Sequence, residues 1–378
     1  MNIGRLTATS DPVTASREFL AGLIEKSVVK EVLVPAVQPG GNVALALFAD
    51  PEELRSSALP WAPVMGVQGA RALSRIAFTD PGVRVAAVLR PCEARAAVEL
   101  IKLGQIKPEN ILFITVDCPG TCELKGFAES KLDPVKTASK LIGQMASGAI
   151  VPPAELHFRS SCNICENPSA EFGDIRLNLF GCAGSLEIEA EDKVAADLEK
   201  AGLAVFGSSP CPEREKVVAE LRTLREKARD ELFKAFESEA GSLEGFKKAF
   251  STCIRCLNCM ENCPICYCKV CIFKSPLFEH EGSRYAGWAA RKGVQKMPSE
   301  TMLFHMTRLS HMASSCIGCG LCDTACPMGL PVSTLFRKTA ARVQSMLGYE
   351  AGKSLDEPVP VSTFREDELR AESGAKDH

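Results

Sequence analysis

The chain has 378 residues, 46% hydrophobic and 24% charged, with 44 Lys and Arg against 47 Asp and Glu for a formal net charge of −3. That length suits two or three domains with a real core, and the near-even charge argues against nucleic acid or an anionic membrane surface as partner. No run reaches the ~20 apolar residues of a membrane-spanning helix and no secretory signal opens the chain, so a cytoplasmic protein without a membrane span is expected.

Val29–Pro35, Asn42–Ala49, Arg84–Leu89 and Ile111–Val116 are short apolar runs that read as buried strands. Helical patterns at Thr14–Glu25, Ala70–Ala77 and Glu93–Leu103 separate several of them. This alternation predicts an α/β unit with a mixed or mainly parallel sheet. Ile175–Phe180 adds a further strand, and Asp192–Ala201 a helix stopped by Gly202. From Glu213 to Glu239, Glu, Lys, Arg, Ala and Leu at helical spacing predict a long connecting helix whose charges form a solvated face. A second, mainly helical unit follows. In it Gly282–Gly293 reads as an irregular loop opening into a short helix, and Met297–Met312 as a helix. Beyond Gly348 lies a tail with Pro358, Pro360 and an acidic helical end, Phe364–Ser373.

Cysteine is over-represented, with 18 residues. In a reducing compartment clustered thiols bind metal or do redox chemistry, so disulfides are not expected. The strongest motif occurs twice, as Cys253-x2-Cys256-x2-Cys259-x3-Cys263-Pro264 and as Cys316-x2-Cys319-x2-Cys322-x3-Cys326-Pro327. This is the ligand run of bacterial ferredoxins, in which three close thiolates serve one 4Fe–4S cluster and the fourth reaches the other. By that rule Cys253, Cys256, Cys259 and Cys326 hold one cluster, and Cys316, Cys319, Cys322 and Cys263 the second. Zinc sites use paired thiols instead. Two clusters linked by crossed ligands suit electron relay. The first block continues with Cys266, Cys268 and Cys271. These could pack as small hydrophobes, compete for a ligand place, or build an additional cluster.

Upstream, Cys92 and the pair Cys118 and Cys122 each follow a strand, where α/β proteins place their sites. Cys162 and Cys165 form a compact loop in which Pro168 disfavours a thioredoxin-like helix. Together they could converge on one more cluster. His305 and His311 have no spacing for a shared metal and read as packing or solvent-facing. No hydrolytic constellation is present, and no Gly-x-Gly-x-x-Gly follows a strand.

The segments Arg90-Pro91-Cys92-Glu93, Thr115-Val116-Asp117-Cys118 and Ser161-Cys162-Asn163-Ile164-Cys165, ending in Glu171–Ile175, resemble the β-subunit family of coenzyme F-420 hydrogenases and dehydrogenases. The downstream Cys-Pro-Ile-Cys-Tyr-Cys run is similar to the formate dehydrogenase β-subunit branch. The resemblance implies an α/β N-terminal flavin domain over 1–210, a connecting helix over 211–244, a mainly helical dicluster ferredoxin-like domain over 245–348 and a tail over 349–378. It also implies FAD, and beside it a cluster held by Cys92, Cys118 or Cys122, Cys162 and Cys165. Met65, Gly66, Val67 and Gln68, at a loop-to-helix junction, become candidate flavin contacts, with a plain helix entry as the alternative. Arg90 would stabilise reduced flavin or form an ion pair.

The function so implied is an oxidoreductase subunit, iron–sulfur flavoprotein in type. It would pass electrons between a molybdenum or tungsten formate dehydrogenase subunit, or a hydrogenase subunit, and a soluble acceptor such as F-420, NAD(P) or ferredoxin. A flavin-free relay docking to a heterodisulfide-reductase-like complex is the alternative, and a redox sensor a third reading.

Overall fold

Apolar runs without polar alternation need cover on both faces, and the first half of the chain provides it. In the computed structural model, which describes residues 1–7, 11–153, 156–278, 281–293 and 300–363, eight strands form one sheet. They are β1 (Asn2–Leu6), β2 (Glu31–Val37), β3 (Val43–Phe48), β4 (Val85–Leu89), β5 (Ile111–Val116), β6 (Ile175–Asn178), β7 (Glu187–Ala190) and β8 (Ala204–Phe206). Their spatial order is β3-β2-β4-β5-β6-β7-β1-β8. The centre is parallel from β2 through β4 and β5 to β6. An antiparallel β3 closes one edge, and antiparallel β7, β1 and β8 close the other. Every residue of β4 and β5 is buried.

One face packs against the helix Pro12–Glu25 through Phe19, Leu20 and Leu23. The other packs against Gly69–Ile76 and Pro91–Lys102, and its core takes in Ile317, Tyr349 and Ala351 from the far end of the chain. The second unit is therefore built onto the sheet. Tyr349 Oη and the Gly352 N–H both donate to the buried Glu99 carboxylate, and Arg95 donates to the Ala351 carbonyl. The tail docks here on the first unit; Phe364–Ser373 lies outside the described residues.

The connecting helix runs Arg214–Ala240, with Val217, Leu221 and Arg225 buried. It starts tight against Gly181, where φ is +69° and a Cβ would meet the Arg214 nitrogen at 2.5 Å. Cys182 and Cys211 are joined there in a disulfide, against the expectation of free thiols throughout. The short helix expected within Gly282–Gly293 is present but takes up the expected loop as well, running Gly282–Lys292 for eleven residues; Gly282 and Gly287 tax it only entropically. Thr301–Met312 is helical, as the apolar spacing requires, and a final helix, Val332–Met346, completes the second unit.

Candidate metal centres

The two cysteine runs share one backbone device. In the first, Arg255 and Leu257 have φ of 55° and 60°; in the second, Gly318 and Gly320 have 70° and 69°. Each left-handed residue adjoins a cysteine, so the loop curls and turns its thiols inward. Both loops then enter short helices, Asn258–Glu261 and Leu321–Thr324.

Cys263, Cys316, Cys319 and Cys322 line one cavity with Ile265, Met312 and Phe336. Cys326 instead acts electrostatically on Cys253 and Cys259. Burial pushes the Cys316 thiol up to about 11 and the Cys319 thiol to about 12. Thiols so placed are poor thiolates on their own and need a cation to stabilise the anion. A hydrogen bond from Cys266 draws the Cys263 thiol down against burial, and Arg308 adds to it.

The helix Thr301–Met312 sets two polar side chains, three residues apart, against the first run. His305 Nε2 lies 3.5 Å from Cys253 Sγ. Arg308 donates through Nη1 to Cys259 Sγ at 3.2 Å and through Nη2 to the Cys259 carbonyl at 3.1 Å. Burial, then Arg308, lowers the His305 imidazole to about 4, so it is neutral near pH 7. His305 is packed among Phe246, Phe250 and Phe304, but it also touches a cysteine of the run. The sequence reading found no such contact; the i, i+3 pairing of His305 with Arg308 was the available signal.

A third set of thiols gathers at the C-terminal ends of the parallel strands. Cys92 sits in the first turn of the helix after β4 and Cys118 just beyond β5. Cys162 and Cys165 arrive on the short helix Ser160–Asn163 and the turn after it. These four line one cavity with Met65, Arg90, Thr121, Arg159 and Arg225. Cys122 is fully buried elsewhere, in an apolar cluster with Val64, Phe127, Leu141 and Phe158. Burial lifts the Cys118 thiol to about 11 although Arg90 opposes it. Burial also acts to raise Cys162, but Arg159 and Thr121 outweigh it and hold that thiol below its ordinary range.

The cavities of the two units share a wall. Gly318 and Cys319 of the second ferredoxin loop line the N-terminal cavity as well. Arg159 spans the junction, donating to the Cys319 carbonyl at 2.6 Å and to Thr121 Oγ1 at 3.3 Å, while Thr121 Oγ1 lies 3.3 Å from Cys162 Sγ. Arg337 ties the same loops together through the Ile164 carbonyl and Glu166.

The remaining candidates lie apart. Cys266, Cys268 and Cys271 line a separate cavity of about 440 Å³ with Arg71, Tyr267 and His311. Of the proposed flavin contacts, Gln68 is buried and caps the helix Gly69–Ile76 through the Arg71 N–H. Arg90 donates to the carbonyls of Ala62 and Val64 rather than to a carboxylate. Met65 lines the cysteine cavity, and Gly66 and Val67 are exposed beside it. A tight group of Cys182, Glu187 and Cys211 was not anticipated, and the disulfide occupies both its sulfurs. Among the described residues no helix is long and apolar enough to cross a membrane.

Residues 249–330 match the 4Fe-4S dicluster domain. The fold and these thiols thus define an iron–sulfur electron-transfer protein. Over 295 residues, 71% of this chain and 74% of the relative, the sequence is 30% identical to the F-420-dependent formate dehydrogenase subunit beta of Methanocaldococcus jannaschii. Over 306 residues it is 27% identical to the F-420-dependent formate dehydrogenase 1 subunit beta of Methanococcus maripaludis, covering 73% of this chain and 74% of that one. The F420-reducing [NiFe] hydrogenase complex of Methanosarcina barkeri is similar at a TM-score of 0.44 and 13% identity, over 64% of this chain and 93% of that one. The chain belongs to the F-420-dependent formate dehydrogenase β-subunit family and is an oxidoreductase subunit.

Proposed function

We propose that this chain relays electrons between a formate-oxidising or hydrogen-oxidising catalytic subunit and a soluble acceptor through three 4Fe–4S clusters and FAD. The observation that carries the reading is the wall common to two thiol-lined cavities: Cys319 belongs to the second ferredoxin set and also lines the N-terminal cavity. Cys253, Cys256, Cys259 and Cys326 would hold one cluster, Cys316, Cys319, Cys322 and Cys263 the next, and Cys92, Cys118, Cys162 and Cys165 the third. The donor sets fit. Each offers four soft thiolate ligands, and the thiols are mostly half-buried, where anions still need compensating positive charge. Cys122 packs in the core, and Cys266, Cys268 and Cys271 are left for an additional centre.

FAD is proposed at the edge formed by Met65, Gly66 and Val67, on the open side of the third cavity. When bound, it would exchange electrons singly with clusters and in pairs with F-420, NAD(P) or another soluble acceptor. Gln68 and Arg90 shape that edge by fixing the loop over residues 62–69. The test is chromatography of flavin released from anaerobically purified protein, followed by formate-driven reduction of each acceptor with the catalytic subunit added. About one FAD per chain and reduction of F-420 support the proposal. Intact clusters with no flavin would leave a relay without an acceptor site.

A further inference from the structure

Four buried arginines meet no carboxylate at ion-pair distance among the described residues. Arg90, Arg159, Arg225 and Arg308 are 4, 4, 7 and 3% exposed. Their partners are carbonyls, hydroxyls and one sulfur: Ala62 and Val64 for Arg90, Cys319, Thr121 and Thr324 for Arg159, Cys165 and Pro119 for Arg225, and Cys259 for Arg308. Other arginines of low exposure in this chain are neutralised, Arg255 by Glu300 and Arg214 by Asp117. A guanidinium cannot shed its proton, so one buried without a counter-charge is costly unless an anion lies nearby.

Three of the four line the same cavity, the one with Cys92, Cys118, Cys162 and Cys165. Against its three guanidinium charges stand two nearby carboxylates, each also held by hydrogen bonds. Glu93, beside Cys92, accepts the N–H groups of Arg90 and Gly69, and Asp323 accepts both the N–H and the hydroxyl of Ser333. The ferredoxin cavities carry less uncompensated charge. Arg308 touches Cys259 directly, Arg337 is paired with Glu166, and Asp323 adds negative charge beside Cys322.

We infer that Arg90, Arg159 and Arg225 are the counter-charge of the N-terminal cluster and make it the highest-potential centre of the relay. Positive charge and N–H donors favour the more negative, reduced form of a cluster, and so raise its potential. With clusters bound, Cys316, Cys319, Cys322 and Cys263 would hold the centre that gives up one electron, and Cys92, Cys118, Cys162 and Cys165 the centre that takes it. Electrons collect on the N-terminal side, away from the Cys253–Cys259 run. Arg159 also supplies a bonded path, from the Cys319 carbonyl through its guanidinium and Thr121 to the Cys162 sulfur. This inference rests on the three-cluster reading above.

The test is a redox titration followed by EPR on the anaerobically purified full chain, with iron measured in the same samples. In the unaltered protein one cluster should titrate above the other two. Arg159→Gln and Arg225→Gln should each lower that midpoint alone, by about a tenfold drop in its reduced-to-oxidised ratio at fixed poise, about 59 mV for a one-electron couple. Arg159→Lys should restore most of the shift, and Arg308→Gln should move a different centre. If Arg159→Gln loses iron, Arg225→Gln decides. Full iron with an unmoved highest midpoint, or Lys behaving as Gln, overturns the inference while leaving the three-cluster relay standing. About eight irons in the unaltered chain would remove both.

Discussion

Cys118 and Cys122 are four residues apart in opposite surroundings, one facing the shared cavity and the other sealed among Val64, Phe127, Leu141 and Phe158. Cys118→Ser should therefore lose about four irons per chain, whereas Cys122→Ala should keep them all and lose only ~1–2 kcal/mol of stability to a small cavity. Equal iron loss in the two variants would contradict this placement. Asp117, next to Cys118, accepts from Arg214 and from the N–H groups of Leu179 and Phe180 while almost fully buried. Arg214→Met strands that carboxylate and should cost ~3–5 kcal/mol, towards the lower figure because the two backbone donors remain. Denaturant unfolding checks it, and a loss under about 1 kcal/mol would show the pair to be dispensable.

At the scale of elements, the ferredoxin loops place two left-handed residues each, and only the second loop uses glycine for both. At Gly320 a Cβ would also overlap the Ser161 hydroxyl of the short helix Ser160–Asn163. Gly320→Ala should thus cost more than the ~1–2 kcal/mol of a left-handed alanine, and part the second ferredoxin loop from the N-terminal cavity. Faster amide exchange over residues 159–165 is the expected sign; unchanged exchange would mean the loops can re-pack. The elements themselves were unevenly legible. β4 and β5 were plain because both faces are buried and the apolar run is unbroken. β1 and β7 were missed because they are short and mix Arg or Glu with apolar residues, and β8 because it is only three residues long, their pairing fixed by the sheet rather than by pattern. The dicluster domain was legible because the four thiols of each run fall within one short stretch of chain. Arg159 and His305 were not, since their partners lie 160 and 52 residues away and no local spacing records that contact.

At the scale of the whole molecule, the strand order turns scattered cysteines into a site. Parallel β4 and β5 put Cys92 and Cys118 at one edge of the sheet, and the Cys118 N–H, donating to the Pro168 carbonyl, holds the Cys162–Cys165 segment at the same edge. The second unit docks there through Cys319 and Arg337, and the tail locks to Glu99 on the neighbouring helix. The N-terminal cavity and the second ferredoxin cavity thus adjoin, with the connecting helix bracing the former through Arg225 to Cys165 and Pro119. The most direct test of that account is the iron and acid-labile sulfide content of the full chain purified without oxygen. Three clusters require about twelve of each per chain. A value near eight, unchanged by Cys165→Ser, would contradict the account and confine the metal to the ferredoxin loops.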